Sequence, residues 1–101
     1  MEKLTYFAEL VAQEPAEPRA RYGYANELYR AERWEDAVCE LRAYLGLVED
    51  EGYAWGKLGD ALTRLGRVDE AADAYLAGID QSMAHGHHGM ADDFRAAMEA
   101  L

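Results

Sequence analysis

Residues 53–78 read Tyr-Ala-Trp-Gly-Lys-Leu-Gly-Asp-Ala-Leu-Thr-Arg-Leu-Gly-Arg-Val-Asp-Glu-Ala-Ala-Asp-Ala-Tyr-Leu-Ala-Gly, and this stretch decides the fold. Its apolar residues recur at helical spacing, and Gly66 supplies the left-handed residue that would end a first helix before a second one begins. Small Gly59 and Ala71 would let the two helices approach closely. Three larger side chains would fill the seam between them: Trp55, Leu58 and Leu62. One such hairpin cannot bury its apolar face alone, so we expect neighbouring hairpins.

The same pattern recurs earlier in the chain. Residues 67–71 (Arg-Val-Asp-Glu-Ala) align with residues 33–37 (Arg-Trp-Glu-Asp-Ala) at a separation of 34. The earlier copy has its own core residues, which are Tyr24, Ala25, Leu28 and Leu41. It departs from the later copy at Arg21, which stands in the Trp55 position, and at Glu32, which stands in the Gly66 position.

These two stretches resemble tetratricopeptide repeats (TPRs), whose first helix begins W-x2-L-G and whose second helix carries an alanine and an aromatic residue. The matching residues in the clearer copy are Trp55, Leu58, Gly59, Ala71 and Tyr75. The resemblance implies an all-α, TPR-like α-α superhelix, in which the first helix of each repeat lines a concave groove. It also implies a non-enzymatic module that binds a protein or a peptide.

The flanking segments extend this pattern to about six antiparallel helices in a single TPR domain, residues 1–101. Residues 2–14 resemble the second helix of a half repeat that Pro15 closes, and Pro18 suits the first turn of the next helix. Repeats are predicted over 18–51 and 52–85, and a capping helix over 87–101. Since Met1 opens the chain and a capping helix would end it, we expect a complete protein. No segment alternates as a β-strand would.

Composition excludes several classes of function. Twenty acidic against ten basic residues give a net charge of −10, which disfavours binding to nucleic acid or to anionic lipid. There is neither a long apolar run nor a leader peptide, so we expect no membrane segment and a cytoplasmic location. The single Cys39 cannot form an intrachain disulfide; its register places it in a packing position, as an inert thiol.

Candidate binding residues lie on the two first helices, on the side away from the core. Four of the ten cations of the chain are among them, interleaved with tyrosines, and such a groove suits an acidic or C-terminal segment of a partner. The predicted peptide-binding groove comprises Arg19, Tyr22, Asn26, Tyr29, Arg30, Tyr53, Lys57, Asp60 and Arg64.

Ordinary solvated helix faces are the competing interpretation of these residues. Arg30 and Arg64 would then complement the helix macrodipole, and Asp60 would pair with Arg64 at i,i+4. A comparison with the TPR proteins that bind the C-termini of chaperones does not decide between the groove and the solvated helix faces. Asn26 matches one clamp position, but Tyr22 replaces the expected lysine and a third repeat is missing. We therefore do not transfer the chaperone function.

Self-association is a second hypothesis, in which the chain is a structural scaffold or homodimer. It rests on apolar residues that the terminal helices would leave exposed: Leu4, Phe7, Val11, Met90 and Met98. A third hypothesis is a metal-responsive protein that uses His85, His87 and His88 with nearby Asp92 and Asp93. The glycine-broken turn favours ordinary loop residues over this site, so no metal or other cofactor is predicted.

Catalysis has no support in the sequence. The chain contains no G-x-S-x-G, P-loop or H-E-x-x-H motif, and Ser82 is its only serine. Adjacent acids such as Asp92 and Asp93 diverge by about 100° on a helix and cannot form one acid–base pair. We expect that the protein is not an enzyme.

Overall fold

The computed structural model describes residues 2–101, which form six helices and no strand. The helices are α1 (Lys3–Gln13), α2 (Pro18–Arg30), α3 (Trp34–Leu45), α4 (Tyr53–Arg64), α5 (Val68–Ala84) and α6 (His88–Glu99). Each helix packs chiefly on the helices that precede and follow it in the chain. This nearest-neighbour packing is that of a helical repeat, so the predicted all-α fold is confirmed.

The core lies between α2, α3, α4 and α5. Four leucines are fully buried there, namely Leu28, Leu41, Leu58 and Leu62. Tyr75 and Ala71 complete the core from α5, whereas Trp55 is only partly buried against it. The packing between α4 and α5 is therefore much as the sequence predicts, but the indole of Trp55 stays partly accessible at one edge.

Three interhelical turns share one backbone conformation. Gly66 and Gly86 have φ of 74° and 77°, and Glu32 adopts the same left-handed region with φ of 58°. The following N–H group closes each turn in the same way: Arg33 N donates to Leu28 O, Arg67 N to Leu62 O and His87 N to Ser82 O, at 2.8–2.9 Å. Glu32 therefore forms the same turn as the glycines. Because a residue with a Cβ atom is strained in the left-handed region, this lowers the free energy of unfolding by roughly 1–2 kcal/mol relative to glycine.

The α3–α4 connection is built differently, around a buried carboxylate. Asp50 is 8% exposed, and its Oδ2 accepts from Gly52 N at 2.8 Å and from Ala54 N at 2.9 Å. These bonds satisfy amides at the start of α4, which would otherwise lack partners.

Two sequence expectations about single side chains are wrong. Cys39 is exposed, because the buried residues of α3 are Ala37, Val38 and Leu41, and these turn Cys39 to the opposite side. The terminal apolar residues are not exposed either. Leu4, Phe7, Met90 and Met98 are half-buried, and Val11 is buried.

The most exposed large apolar side chains are different ones, of which Tyr6 lies on α1, and self-association remains a prediction. They are Tyr6, Leu47, Tyr53, Val68, Leu76, Met83 and Leu101. The division into a half repeat, two repeats and a capping helix remains a prediction, since helix positions alone do not decide it. No helix within residues 2–101 combines the length and the apolarity needed to cross a bilayer.

Close approach of α4 to α5 gives the first testable prediction. A Cβ atom built on Gly59 would lie 2.6 Å from the buried ring of Tyr75. Gly59→Ala should therefore lower the free energy of unfolding, by about 1–3 kcal/mol from overpacking, despite the better helix propensity of alanine.

Gly89 of α6 provides the matched control, because a Cβ atom added there would meet nothing within 4 Å. Gly89→Ala should leave stability unchanged or raise it by up to about 1 kcal/mol. Urea unfolding followed by circular dichroism measures both changes. Equal effects of the two substitutions would contradict the close packing of Gly59 against Tyr75.

Candidate functional site

Side chains of α2 and α4 meet on one side of the domain, which we call the α2/α4 face. Six of the nine predicted groove residues come together there: Tyr22, Asn26, Tyr29, Lys57, Asp60 and Arg64. They form two linked groups, one around the lysine and one around the aspartate.

Lys57 is the centre of the first group. Its ammonium donates to the Tyr22 hydroxyl at 3.3 Å and to Asn26 Oδ1. It also lies 5.0 Å from the centroid of the Tyr22 ring and 6.0 Å from that of Tyr29. Burial lowers the pKa of Lys57, and the charge of Asp50 opposes that shift. Neutral oxygens and aromatic faces thus hold a half-buried cation.

Asp60 is the centre of the second group. Its two carboxylate oxygens accept from the Tyr29 hydroxyl at 3.0 Å and from the Tyr75 hydroxyl at 2.5 Å. Burial, together with the neighbouring carboxylate, raises the pKa of each tyrosine to about 12. The carboxylate therefore ties α2, α4 and α5 together, and both of its oxygens are engaged.

Arg64 does not form the ion pair with Asp60 that the competing interpretation predicts. The ion pairs within residues 2–101 do not include it, and the oxygens of Asp60 accept from two tyrosines instead. The Arg64 guanidinium instead lies 5.4 Å from the centroid of Trp34, whose ring meets the edge of Tyr29. An open cleft of about 300 Å³ is lined by Tyr29, Trp34, Asp60, Thr63, Arg64 and Tyr75.

The other three predicted residues lie outside this cluster. The side chain of Arg30 is 71% exposed and lies 3.6 Å from Glu27, beside the first turn of α1. Arg19 is exposed at the start of α2. Tyr53 is 55% exposed, and its ring lies against His87 at the other end of α4.

Sequence reasoning misses four contributors to this face. It places Tyr75 in the core, and the ring is indeed buried, but the hydroxyl reaches Asp60. Trp34 supports Arg64, and Tyr44 packs on Tyr22 at a centroid distance of 4.6 Å. Of these four, Asp50 could have been predicted from the sequence, because an aspartate shortly before a helix often accepts hydrogen bonds from the first amides of that helix.

Both cations of the α2/α4 face, Lys57 and Arg64, lack an ion pair in the described part of the chain, whereas most cations elsewhere have one. Six arginines form ion pairs with carboxylates, namely Arg21, Arg30, Arg33, Arg42, Arg67 and Arg95. Within residues 2–101, the cations without such a partner are Lys3, Arg19, Lys57 and Arg64. Three of these four belong to the predicted groove, in a chain with twice as many acids as bases.

The three histidines each face a different partner. His85 Nδ1 lies 2.9 Å from the Gln81 carbonyl oxygen, and His88 Nδ1 lies 3.3 Å from the Met83 sulfur. His87 Nε2 lies 2.7 Å from a carboxylate oxygen of Glu51. No group of three metal-type side chains converges within residues 2–101.

Comparison with known proteins identifies the class. The family model for the tetratricopeptide repeat matches residues 25–85, which is more than half of the chain. The chain belongs to the tetratricopeptide repeat family, whose repeats generally mediate protein–protein interactions.

A solved structure supports the fold over the whole chain. The solution structure of protein BPP2914 from Bordetella parapertussis matches with a TM-score of 0.78 and 20% sequence identity, covering 99% of this chain and 87% of that one. At this identity the likeness concerns the fold alone. Among the curated proteins, none matches the chain.

The tyrosine–carboxylate cluster predicts a loss of stability at high pH. Tyr29 and Tyr75 have an ordinary pKa of 10.0 when unfolded but hold their protons to about 12 in the native state. Between these values the unfolded chain releases protons that the native chain keeps, so the free energy of unfolding should fall as pH rises from 10 to 12.

Asp60→Asn and Tyr29→Phe test this origin of the pH dependence. The first removes the charge that adds to burial in raising both pKa values, and the second removes one titrating group. Either should make the decline between pH 10 and 12 shallower in urea titrations at fixed pH values. In the native protein, phenolate absorbance should show a late step near pH 12. A decline that neither substitution alters would contradict the cluster.

Proposed function

We propose that the protein is a non-enzymatic interaction module, and that its α2/α4 face binds an acidic or C-terminal segment of a partner protein. Lys57 and Arg64 are the principal recognition residues. Tyr22, Asn26 and Tyr29 position the lysine and supply apolar area around it. Arg19, Arg30 and Tyr53 lie on the same two helices and extend the footprint.

One observation carries the proposal: Lys57 is a half-buried cation with no carboxylate at ion-pair distance within residues 2–101. A desolvated ammonium is less stable than an exposed one, as its lowered pKa reflects. An incoming carboxylate would compensate this charge, and the contact would be a charge-assisted hydrogen bond. Partial burial would strengthen it relative to a fully exposed pair.

The remaining geometry supports the same occupant. Arg64 lies over an indole ring, and stacking of this kind holds a guanidinium in place while its N–H groups stay free for a carboxylate. Asp60 also lines the cleft and keeps its negative charge, but each of its oxygens already accepts a hydrogen bond from a tyrosine. An acidic ligand would therefore be held through Lys57 and Arg64 and would keep its carboxylate away from Asp60.

Substitution of the two lysines of the chain tests the proposal. Lys57→Met removes the charge while keeping the apolar stem, and Lys3→Met makes the same change on α1. With a fluorescein-labelled, glutamate-rich peptide, Lys57→Met should weaken binding by roughly tenfold, which corresponds to one charge-assisted bond. Lys3→Met should leave the dissociation constant unchanged, and added salt should weaken binding to the native chain.

Two further measurements sharpen the result. A peptide with an amidated C-terminus, compared with one bearing the free carboxylate, distinguishes a C-terminal from an internal acidic ligand. Arg64→Met provides an independent variant if Lys57→Met unfolds, and circular dichroism checks both. The proposal is wrong if neither variant weakens binding more than Lys3→Met does.

A further inference from the structure

The opposite side of α4 carries a second surface that the proposed function does not use. On a helix, Trp55 lies about 160° around from Lys57, so the two side chains leave α4 on opposite sides. Trp55 and Leu58 form the floor of a groove between α3 and α5. We call this surface the α3/α5 groove.

The α3/α5 groove consists of two adjoining clefts of about 360 and 240 Å³ that share Arg42, Trp55 and Leu58. One extends along α5, past Asp73 to Ala77, and the other ends at Leu45 and Gly46, where α3 stops. Arg42 and Glu70 pair across it at 3.3 Å. No residue within 2–101 accepts a hydrogen bond from the Trp55 indole, so the groove has an apolar floor with one free donor, between walls that carry Arg42, Glu70 and Asp73.

A stripe of exposed side chains on α5 borders this groove. Asp69, Asp73, Leu76, Asp80 and Met83 project within about 80° of one another around the helix axis. Leu76 is 48% exposed and Met83 is 41% exposed. None of the three aspartates has a cationic partner within residues 2–101.

Helix stability does not account for the whole stripe. Asp69 lies in the first turn of α5, where the macrodipole favours an acid. Asp80 lies near the other end, where the macrodipole disfavours one, and no basic residue occupies the last turn to offset it. Leu76 and Met83 likewise expose apolar area, although the Met83 sulfur lies 3.3 Å from His88 Nδ1.

We infer that the α3/α5 groove and its stripe form a second docking surface, whose occupant is a basic amphipathic helix of a partner protein. Apolar side chains of that helix would cover Leu76 and Met83 and enter the groove above Trp55. Its lysine or arginine residues would pair with Asp73 and Asp80. The stripe spans about 21 Å along α5, the length of a helix of about 14 residues.

The two tryptophans of the chain allow the two surfaces to be measured separately. Trp34 lies on the α2/α4 face and Trp55 in the α3/α5 groove. In the full-length Trp34→Phe variant, all indole emission comes from Trp55. A tryptophan-free peptide of about 14 residues, with leucine and lysine at helical periodicity, should bind and shift that emission. Failure of the glutamate-rich peptide to bind would concern only the other surface.

Charge substitutions identify the contact. Asp73→Asn with Asp80→Asn should weaken peptide binding by roughly three- to tenfold, as expected for two exposed ion pairs. Because Asp80 opposes the helix dipole, the same double variant should not lose stability through that residue. The control, Asp93→Asn with Glu99→Gln on α6, removes two exposed charges that form no ion pair within residues 2–101 and should leave affinity unchanged.

Three results would overturn the inference. The first is an unchanged Trp55 emission at saturating peptide. The second is equal weakening by the two double variants, which would indicate general attraction to an acidic protein. The third is a dimer in sedimentation that Ala77→Phe dissociates, because the occupant of the groove would then be a second copy of this chain. In the monomer, Ala77→Phe should instead block the peptide, since Ala77 lines the groove.

Discussion

The close packing of α4 against α5 is the constraint on which the rest of the structure depends. Because Gly59 has no side chain, the ring of Tyr75 lies against the α4 backbone. That position places the Tyr75 hydroxyl 2.5 Å from Asp60, one residue further along α4, and Asp60 in turn accepts from Tyr29 of α2. A packing requirement at a family position therefore fixes the polar cluster on the α2/α4 face.

The fold is readable from the sequence because repeat positions carry strong local constraints. Helical periodicity, the left-handed Gly66 and the 34-residue register each point to the same hairpins.

The candidate face can be predicted from the sequence only in part. Helical spacing places Lys57, Asp60 and Arg64 on one side of α4, but it does not say which pairs form. The spacing of Asp60 and Arg64 suits an ion pair, yet the carboxylate of Asp60 accepts hydrogen bonds from tyrosines of two other helices instead. Such contacts depend on tertiary distances, which no single helix encodes.

Most cations in the described part of this acidic chain are paired with carboxylates, and Lys57 and Arg64 are exceptions. Most arginines lie beside carboxylates on the same or the adjacent helix, for example Arg21 with Glu40 at 2.8 Å and Arg33 with Asp36 at 2.7 Å. These contacts neutralise local charge. Exposed pairs such as Arg33 with Asp36 contribute little to stability, whereas the pair of Arg21 with Glu40 is partly buried. Lys57 and Arg64 lie among tyrosines, an amide and an indole instead. Their contacts are aromatic rings, a hydroxyl and an amide, although the charge of Asp50 acts on Lys57 at longer range. The proposed ligand would supply a carboxylate at contact distance.

The residues that reveal the family and those that line the two proposed binding surfaces overlap more than the sequence suggests. Trp55 marks the start of a repeat, and such a position normally belongs to the core, but its indole is only partly buried and forms the floor of the α3/α5 groove. Lys57 leaves the same helix on the other side. Gly59 against Tyr75 and Gly56 against Phe94 hold α4 tightly to α5 and α6. Coupling between the two surfaces would require α4 to shift, and because packed interiors resist such shifts, the two surfaces should bind independently.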